Sequence, residues 1–232
     1  MSAPFPAVAP GDPRQVIVRK AARALARGGL VNAYGHCSLR LDERHFLVCA
    51  PRPMGLIAAG EPGTVCATDA PLPEGVLGEV RMHQQIYLRR PEVKAVARFL
   101  SPNVLALAAL GLTPRARHGF GSYFFPQVPF WPDPGLIRNE QAAIGVGETL
   151  GRAPAIVVGV NGAVTAGESM EQAVCLAWFL EDAARVELAA LAAGMADSAP
   201  RMSAEQAGPR ATWQGRIAER MWEFLTAGDP EA

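Results

Sequence analysis

"GEVRMHQQIYLRRPEVKAVARFLSPNVLALAAL", Gly78 to Leu110, carries a helix, a strand and a second helix in direct succession. Val76, Val80, Met82, Ile86 and Tyr87 recur at a roughly helical period. Arg89 and Arg90 suit a helix end, and Pro91 cannot continue the helix. Val93 to Leu100 then alternates as a strand does, and Ser101 and Pro102 supply a cap and a first turn for the next helix. A strand set between helices is the unit of a layered α/β fold.

The same alternation continues outward in both directions. Upstream, residues 1–11 are rich in Pro, Ala and Gly and read as an irregular arm. Asp12 can cap a helix with Pro13 in its first turn, running through "QVIVRKAARALARGG" to Gly28-Gly29. "CSLRLD" and "HFLVCA", separated by "ERH", predict a hairpin, and "TVCAT" a further short strand. Downstream, "TPRARHGFGSYFFPQVPFWPDPG" is a long aromatic loop of the kind that is usually functional or interfacial. A helix at "LIRNEQAAIGVGETLG" leads to two apolar strands around Asn161-Gly162, and Ser169 to Ala193 forms a long helix. After a Gly/Pro-containing break, a last helix in "TWQGRIAERMWEFLTAG" sets Trp213, Ile217, Met221 and Phe224 on one side. The pattern predicts an α/β sandwich on a mixed sheet. Residues 12–194 form the domain, and 195–232 a helical extension packed on it.

The 232 residues are 50% hydrophobic and 19% charged, enough for one sizeable core. Twenty-two basic side chains balance 22 acidic ones, so charge gives no case for nucleic acid or an anionic membrane as partner. Cys37, Cys49, Cys66 and Cys175 have no zinc-ribbon or C-x-x-C spacing and read as buried free thiols. The start lacks the basic and apolar regions of a signal peptide. Glu181, Asp182, Arg185 and Glu187 interrupt the longest apolar run, so it is not a membrane span. A soluble, cytoplasmic protein is expected.

Three segments can carry chemistry. In "AYGHCSLRLD", His36, Ser38 and Arg40 alternate with Cys37 and Leu39 and share one strand face, either ligand-facing or simply polar beside solvent. In "GEVRMHQQIY", Glu79 and His83 stand four apart on one helix face. That is not the HExxH zinc pattern, and a Glu at a helix start can merely complement the helix dipole. In "RARHGFGSYFF", Arg115, Arg117, His118 and Tyr123 suit an anionic aromatic ligand, and suit an interface equally well. "GVNGAVTAG" is neither a P-loop nor a Rossmann fingerprint, and no nucleophile elbow is visible.

In this order, over about residues 12–194, the segments resemble the class II aldolase/adducin family. "GLVNAYGHCSLRLD…HFLVCAP" is similar to its Gly-Asn/His-x-Ser-x-Arg strand, and "GEVRMHQQIYLRRPEVKAV" to its Glu-x-x-x-His-x-x-Ile-Tyr helix and following strand. "AIVVGVNGAVTAGESMEQAVCLAWFLEDAARVEL" is similar to its last strand pair and long helix. The resemblance implies a three-layer α/β/α sandwich around a mixed, largely antiparallel sheet, a homotetramer, and active sites where subunits meet.

It also implies a catalytic glutamate, here Glu79, and a divalent ion held by three histidines. The histidine positions fall on Arg98, Leu100 and Asn161, so a site of family geometry is not expected. No cofactor is expected, and a metal only with another ligand set. The hydroxyl residues with which the sugar-phosphate enzymes bind phosphate are replaced by Leu77-Gly78 and Arg52-Pro53. Arg52 and Arg98 place positive charge in the cleft instead. Arg98 can take over the electrophilic role of the metal, since a guanidinium stays charged and pairs with carboxylates.

The reading is a carbon–carbon lyase acting on a small carboxylated, hydroxyaromatic substrate, with decarboxylation placed ahead of aldol cleavage. Glu79 and Arg98 are its catalytic pair. His36, Ser38, Arg40, Arg52, His83, His118, Tyr123 and Asn161 are its binding candidates. The rivals are a non-catalytic, adducin-like assembly protein and a metal-independent biosynthetic enzyme. Convergence of Glu79, Arg98 and His36 on a pocket favours an enzyme. A buried carboxylate neutralising Arg98, with no cavity, favours assembly.

Overall fold

The alternation of helix and strand runs through the whole computed structural model, which describes residues 8–231. Residues 1–7 of the expected arm lie outside the described residues. The elements are α1 (Pro13–Arg27), β1 (His36–Arg40), β2 (His45–Val48), β3 (Thr64–Ala67), α2 (Arg81–Arg89), β4 (Ala95–Phe99), α3 (Pro102–Ala109), β5 (Phe130–Trp131), α4 (Glu140–Leu150), β6 (Ala155–Val158), β7 (Ala163–Gly167), α5 (Met170–Ala192), α6 (Ala204–Arg210) and α7 (Ile217–Thr226). The strands form one sheet in the order β3-β2-β1-β4-β7-β6-β5, antiparallel except for the β5–β6 pair.

Strand alternation sorts the core into two layers. Cys37 of β1, Ala95, Ala97 and Phe99 of β4, and Val157 of β6 bury against α1, α3 and α5. Val96 of β4, Ile156 and Val158 of β6, and Val164 of β7 bury against α2 and α4. The result is an α/β/α sandwich. His36 pairs with Arg98 and Ser38 with Val96 across β1 and β4, so all four point to the α2 side.

Local chemistry explains the element ends. Asp12 Oδ1 accepts the Arg14 N–H at 2.8 Å and opens α1. Ser101 does not cap α3: its hydroxyl is buried without a partner among the described residues. The Glu181 carboxylate accepts the Asn103 and Val104 N–H groups instead, each at 3.0 Å. Two short elements lay hidden in segments that read as irregular. One is β5 in the aromatic loop, the other α6 in the break before the last helix, where Ser203 and Gln206 form a capping box. On α7, Phe224 is 70% exposed and leaves the apolar side expected of it, while Ile217 and Met221 pack on the core.

Candidate active site

The cleft forms at the end of the α2-side face, where three segments meet. Gly35 precedes β1 with φ +150, and a Cβ there would lie 2.8 Å from Met54 Sδ and 3.0 Å from the Arg98 carbonyl oxygen. Its glycine brings the backbone against its neighbours and sets His36 beside Arg98. Gly78–Val80 is a single 3-10 turn before α2, and Glu79 sits on it rather than in the helix proper. The β6–β7 turn carries Asn161 over the end of β4.

Tyr34, His36, Arg52, Glu79, Arg98 and Arg138 line a cleft of about 390 Å³. Arg98 is only 6% exposed, and its Nη2 donates to Asn161 Oδ1 at 2.7 Å and to the Asn161 carbonyl oxygen at 3.3 Å. Burial pulls its guanidinium down to about 10, and the Glu79 charge works the other way. Glu79 Oε1 accepts from Arg138 Nε at 3.0 Å, and Arg52 Nη1 donates to Glu61 Oε2 at 3.1 Å. Among the described residues no carboxylate hydrogen-bonds to Arg98. An open cleft with Glu79, Arg98 and His36 in its wall favours an enzyme over an assembly protein.

Behind His36 runs a buried chain. His36 Nδ1 lies 2.8 Å from His83 Nε2, and His83 Nδ1 lies 2.6 Å from Ser38 Oγ. Ser38 Oγ lies 2.8 Å from the Tyr87 hydroxyl, which donates to the Ser38 carbonyl oxygen at 3.0 Å. Burial, together with the Arg98 charge, brings His83 to about 3. Burial and the His83 and Arg98 charges push His36 well below the usual histidine value, so both rings are neutral at pH 7. The polar face of β1 is thus turned inward, not toward solvent.

The other candidates lie elsewhere. Arg40 stacks on Tyr87 at 4.6 Å and donates to the carbonyls of Tyr87, Arg90 and Val93, which ties the end of α2 to the sheet. His118 and Tyr123 belong to the layer across the sheet. His118 Nε2 meets Asp182 Oδ2 at 2.7 Å, and Tyr123 packs on Phe179 and Trp213. Arg115 and Arg117 both bind the buried Glu187, which anchors the aromatic loop. Tyr123 and Phe120 line a separate cavity of about 490 Å³ beneath α7.

Two participants escaped the sequence. Arg138 lies just before the Asn139-capped α4, far along the chain from Glu79, and nothing local marks it. Tyr87 shows the apolar period of α2 and the Ile-Tyr pair of the motif, neither of which reveals its hydroxyl's partner. At the three positions where the family resemblance implies histidines, the side chains do not fit a divalent ion. Leu100 has no lone pair, Arg98 is a cation, and the Asn161 amide oxygen is taken by Arg98. Among the described residues there is no cluster of three or more His, Cys, Asp or Glu able to hold a metal.

The family model described as "Class II Aldolase and Adducin N-terminal domain" matches residues 17–188. The 3,4-dihydroxyphthalate decarboxylase of Arthrobacter keyseri is 32% identical over 196 residues, covering 75% of this chain and 77% of that protein. The enzyme of the same name from Terrabacter sp. (strain DBF63) is 30% identical over 206 residues, covering 78% and 83%. The solved L-fuculose 1-phosphate aldolase of Glaciozyma antarctica PI12 superposes with a TM-score of 0.76 at 20% identity, covering 96% of this chain and 93% of that one. Among the described residues no helix is long and apolar enough to cross a membrane.

Proposed function

The chain belongs to the class II aldolase and adducin family, and from that premise we propose that it is a carbon–carbon lyase that decarboxylates a small hydroxyaromatic acid. Arg98 carries the reading. It is a buried guanidinium in the wall of a cleft, with a neutral amide as its side-chain partner. A buried cation is costly when its nearby carboxylate, Glu79, is hydrogen-bonded to Arg138 instead, so an anion is the ligand this wall lacks. The name shared by the two relatives, 3,4-dihydroxyphthalate decarboxylase, supports an aromatic acid with hydroxyl groups as that anion.

The chemistry follows from the charges. Arg98 takes a carboxylate that stays on the ring, through a charge-assisted N–H donor other than the Nη2 that holds Asn161. The departing carboxylate is not the one Arg98 holds, because loss of neutral CO2 would forfeit that bond. It lies on the Glu79 side. As the carbon–carbon bond breaks, its electron pair passes to the ring carbon, and Arg98 stabilises negative charge as it shifts onto the ring. Glu79 in its acid form delivers the proton that replaces CO2 and is reprotonated from solvent. A ligand carboxylate that draws Arg138 away from Glu79 frees Glu79 to carry that proton. No step passes through a metal at the Arg98 position. A homotetramer with active sites at its subunit contacts is part of the proposal, supported by family membership and by exposed Phe224, Leu110 and Leu112. Light scattering that gives a stable monomer at micromolar concentration contradicts it.

Incubation with 3,4-dihydroxyphthalate should release CO2 and leave a ring hydrogen in its place. Glu79→Gln should lose about 10²–10⁴-fold in rate, the usual contribution of a positioned general acid. No CO2 from any hydroxyaromatic acid, or a Glu79→Gln variant at the parental rate, overturns the reading.

A further inference from the structure

The chain behind His36 has four contacts and, with both rings neutral, four protons to fill them. A carbonyl oxygen only accepts, so the contact with the Ser38 carbonyl takes the Tyr87 proton. The Ser38–Tyr87 contact must then use the Ser38 proton. The Ser38–His83 contact must use a proton on His83 Nδ1, and the His83–His36 contact a proton on His36 Nδ1. One assignment satisfies every contact, and it leaves His36 Nε2 bare. That nitrogen is buried and has no partner among the described residues. His36 lines the cleft and also a hollow of about 10 Å³ that shares Pro51 and Leu77 with it. A space of roughly 10–15 Å³ admits one oxygen-sized group.

Resting on the reading of the cleft as the site of an aromatic acid, we infer that His36 is its hydroxyl-recognition residue. Held as the Nδ1–H tautomer by His83, Ser38 and Tyr87, it accepts the proton of a ring hydroxyl at Nε2. Arg98 then reads the carboxylate and His36 the hydroxyl, so the pair selects hydroxylated acids over plain ones. His83, Ser38 and Tyr87 are positioning residues: they set which ring nitrogen is bare. Neutral rings in this setting keep the assignment unchanged across the neutral range, in line with the downward shifts of both histidines.

The test has two arms. Nitrogen-15 NMR of the free, full-length protein should show His36 protonated at Nδ1 and bare at Nε2, unchanged between pH 6 and pH 8 (roughly the range above both shifted values). A proton on Nε2 overturns the inference whatever binds. Calorimetry then compares 2-, 3- and 4-hydroxybenzoate with their methyl ethers and with benzoate. At least one hydroxybenzoate should bind about tenfold tighter than its ether, the worth of one buried hydrogen bond. His36→Phe should abolish that preference, and the shape-conserving Tyr87→Phe should reduce it, since Ser38 is then free to donate to His83 and reverse the chain. Arg98→Leu should weaken all the acids alike. A hydroxyl preference that survives His36→Phe overturns the assignment of His36. Acids that bind without dependence on Arg98, or fail to bind at all, overturn the reading of the cleft instead.

Discussion

Arg98 stands where the family resemblance implies a metal ligand, and its surroundings decide what it does. A buried guanidinium bonded to Glu79 would be a structural pair. Instead Glu79 is bonded to Arg138 and Arg98 to Asn161, so the Arg98 charge feels Glu79 but has no carboxylate bonded to it among the described residues. Arg98→Leu should therefore leave the fold intact and weaken carboxylate binding by about 2–5 kcal/mol, the cost of truncating one side of a buried charge pair. Lys should rescue only in part, lacking the planar fork. Titration calorimetry with benzoate checks both, and parental affinity in the Leu variant removes the role assigned to Arg98. The two histidines make a second prediction. Their folded values are depressed while an unfolded histidine takes up its proton near 6.5, so the unfolded chain binds more protons below that pH. Stability should fall as pH drops from about 6.5 to 5, with each histidine contributing a slope of up to about 1.4 kcal/mol per pH unit. His83→Gln should remove about half of that histidine slope in urea titrations. A slope unchanged by the substitution contradicts burial of a neutral His83.

The turn between β6 and β7 shows how a short element delivers a side chain to the cleft. Val160 is held at φ 47, an uncommon conformation for a β-branched residue, and Gly162 at φ +86. A Cβ on Gly162 would lie 2.1 Å from the Phe99 carbonyl oxygen, so only glycine lets the turn pass over β4 and lay Asn161 on Arg98. Gly162→Ala should cost more than Gly111→Ala, where φ is +69 but space is open. The difference should exceed roughly 1 kcal/mol, and the Asn161 contact should go with it. Equal melting temperatures for the two variants argue against the close approach. In the sequence this turn was legible as two strands around Asn161-Gly162, because hydrophobic runs and a breaker pair are local signals. The hairpin, β4 and the long α5 were legible for the same reason. β5 and α6 were not. Two residues of strand make no period, and Pro209 inside α6 reads as a breaker although the Ser203 and Gln206 box starts the helix anyway.

Contacts distant in the chain are what a single sequence hides. Glu79, His36 and Arg98 could be placed together through the resemblance, but Arg138 joins them only because α4 packs on α2. The same holds for the end of the chain. Arg19 and Arg23 on α1 are buried, at 1% and 7% exposure, and nothing local in the sequence marks them for burial. Their partners arrive after α7: Arg23 donates to both Asp229 oxygens, at 2.8 and 2.7 Å, and to Glu231 at 2.8 Å, and Arg19 binds Glu231 as well. The Arg19 bond, against the opposing pull of burial and with help from Arg23, holds Glu231 down at about 2. A folded value below the unfolded one contributes stability above about pH 4.5, lost as pH falls toward 2. The segment after α7 is thus latched onto the first helix by charges that have left water. A buried pair adds little over an apolar replacement of the whole pair, but removing one partner strands the other. Asp229→Ala leaves Arg23 with Glu231 and the neutral Ile57 carbonyl oxygen. It should cost toward the low end of the roughly 3–5 kcal/mol typical of a broken buried pair. Arg23→Met with Asp229→Leu together should cost clearly less than the single Asp229 change. Chemical denaturation of the three proteins decides it, and a double variant less stable than Asp229→Ala contradicts the stranded-charge account.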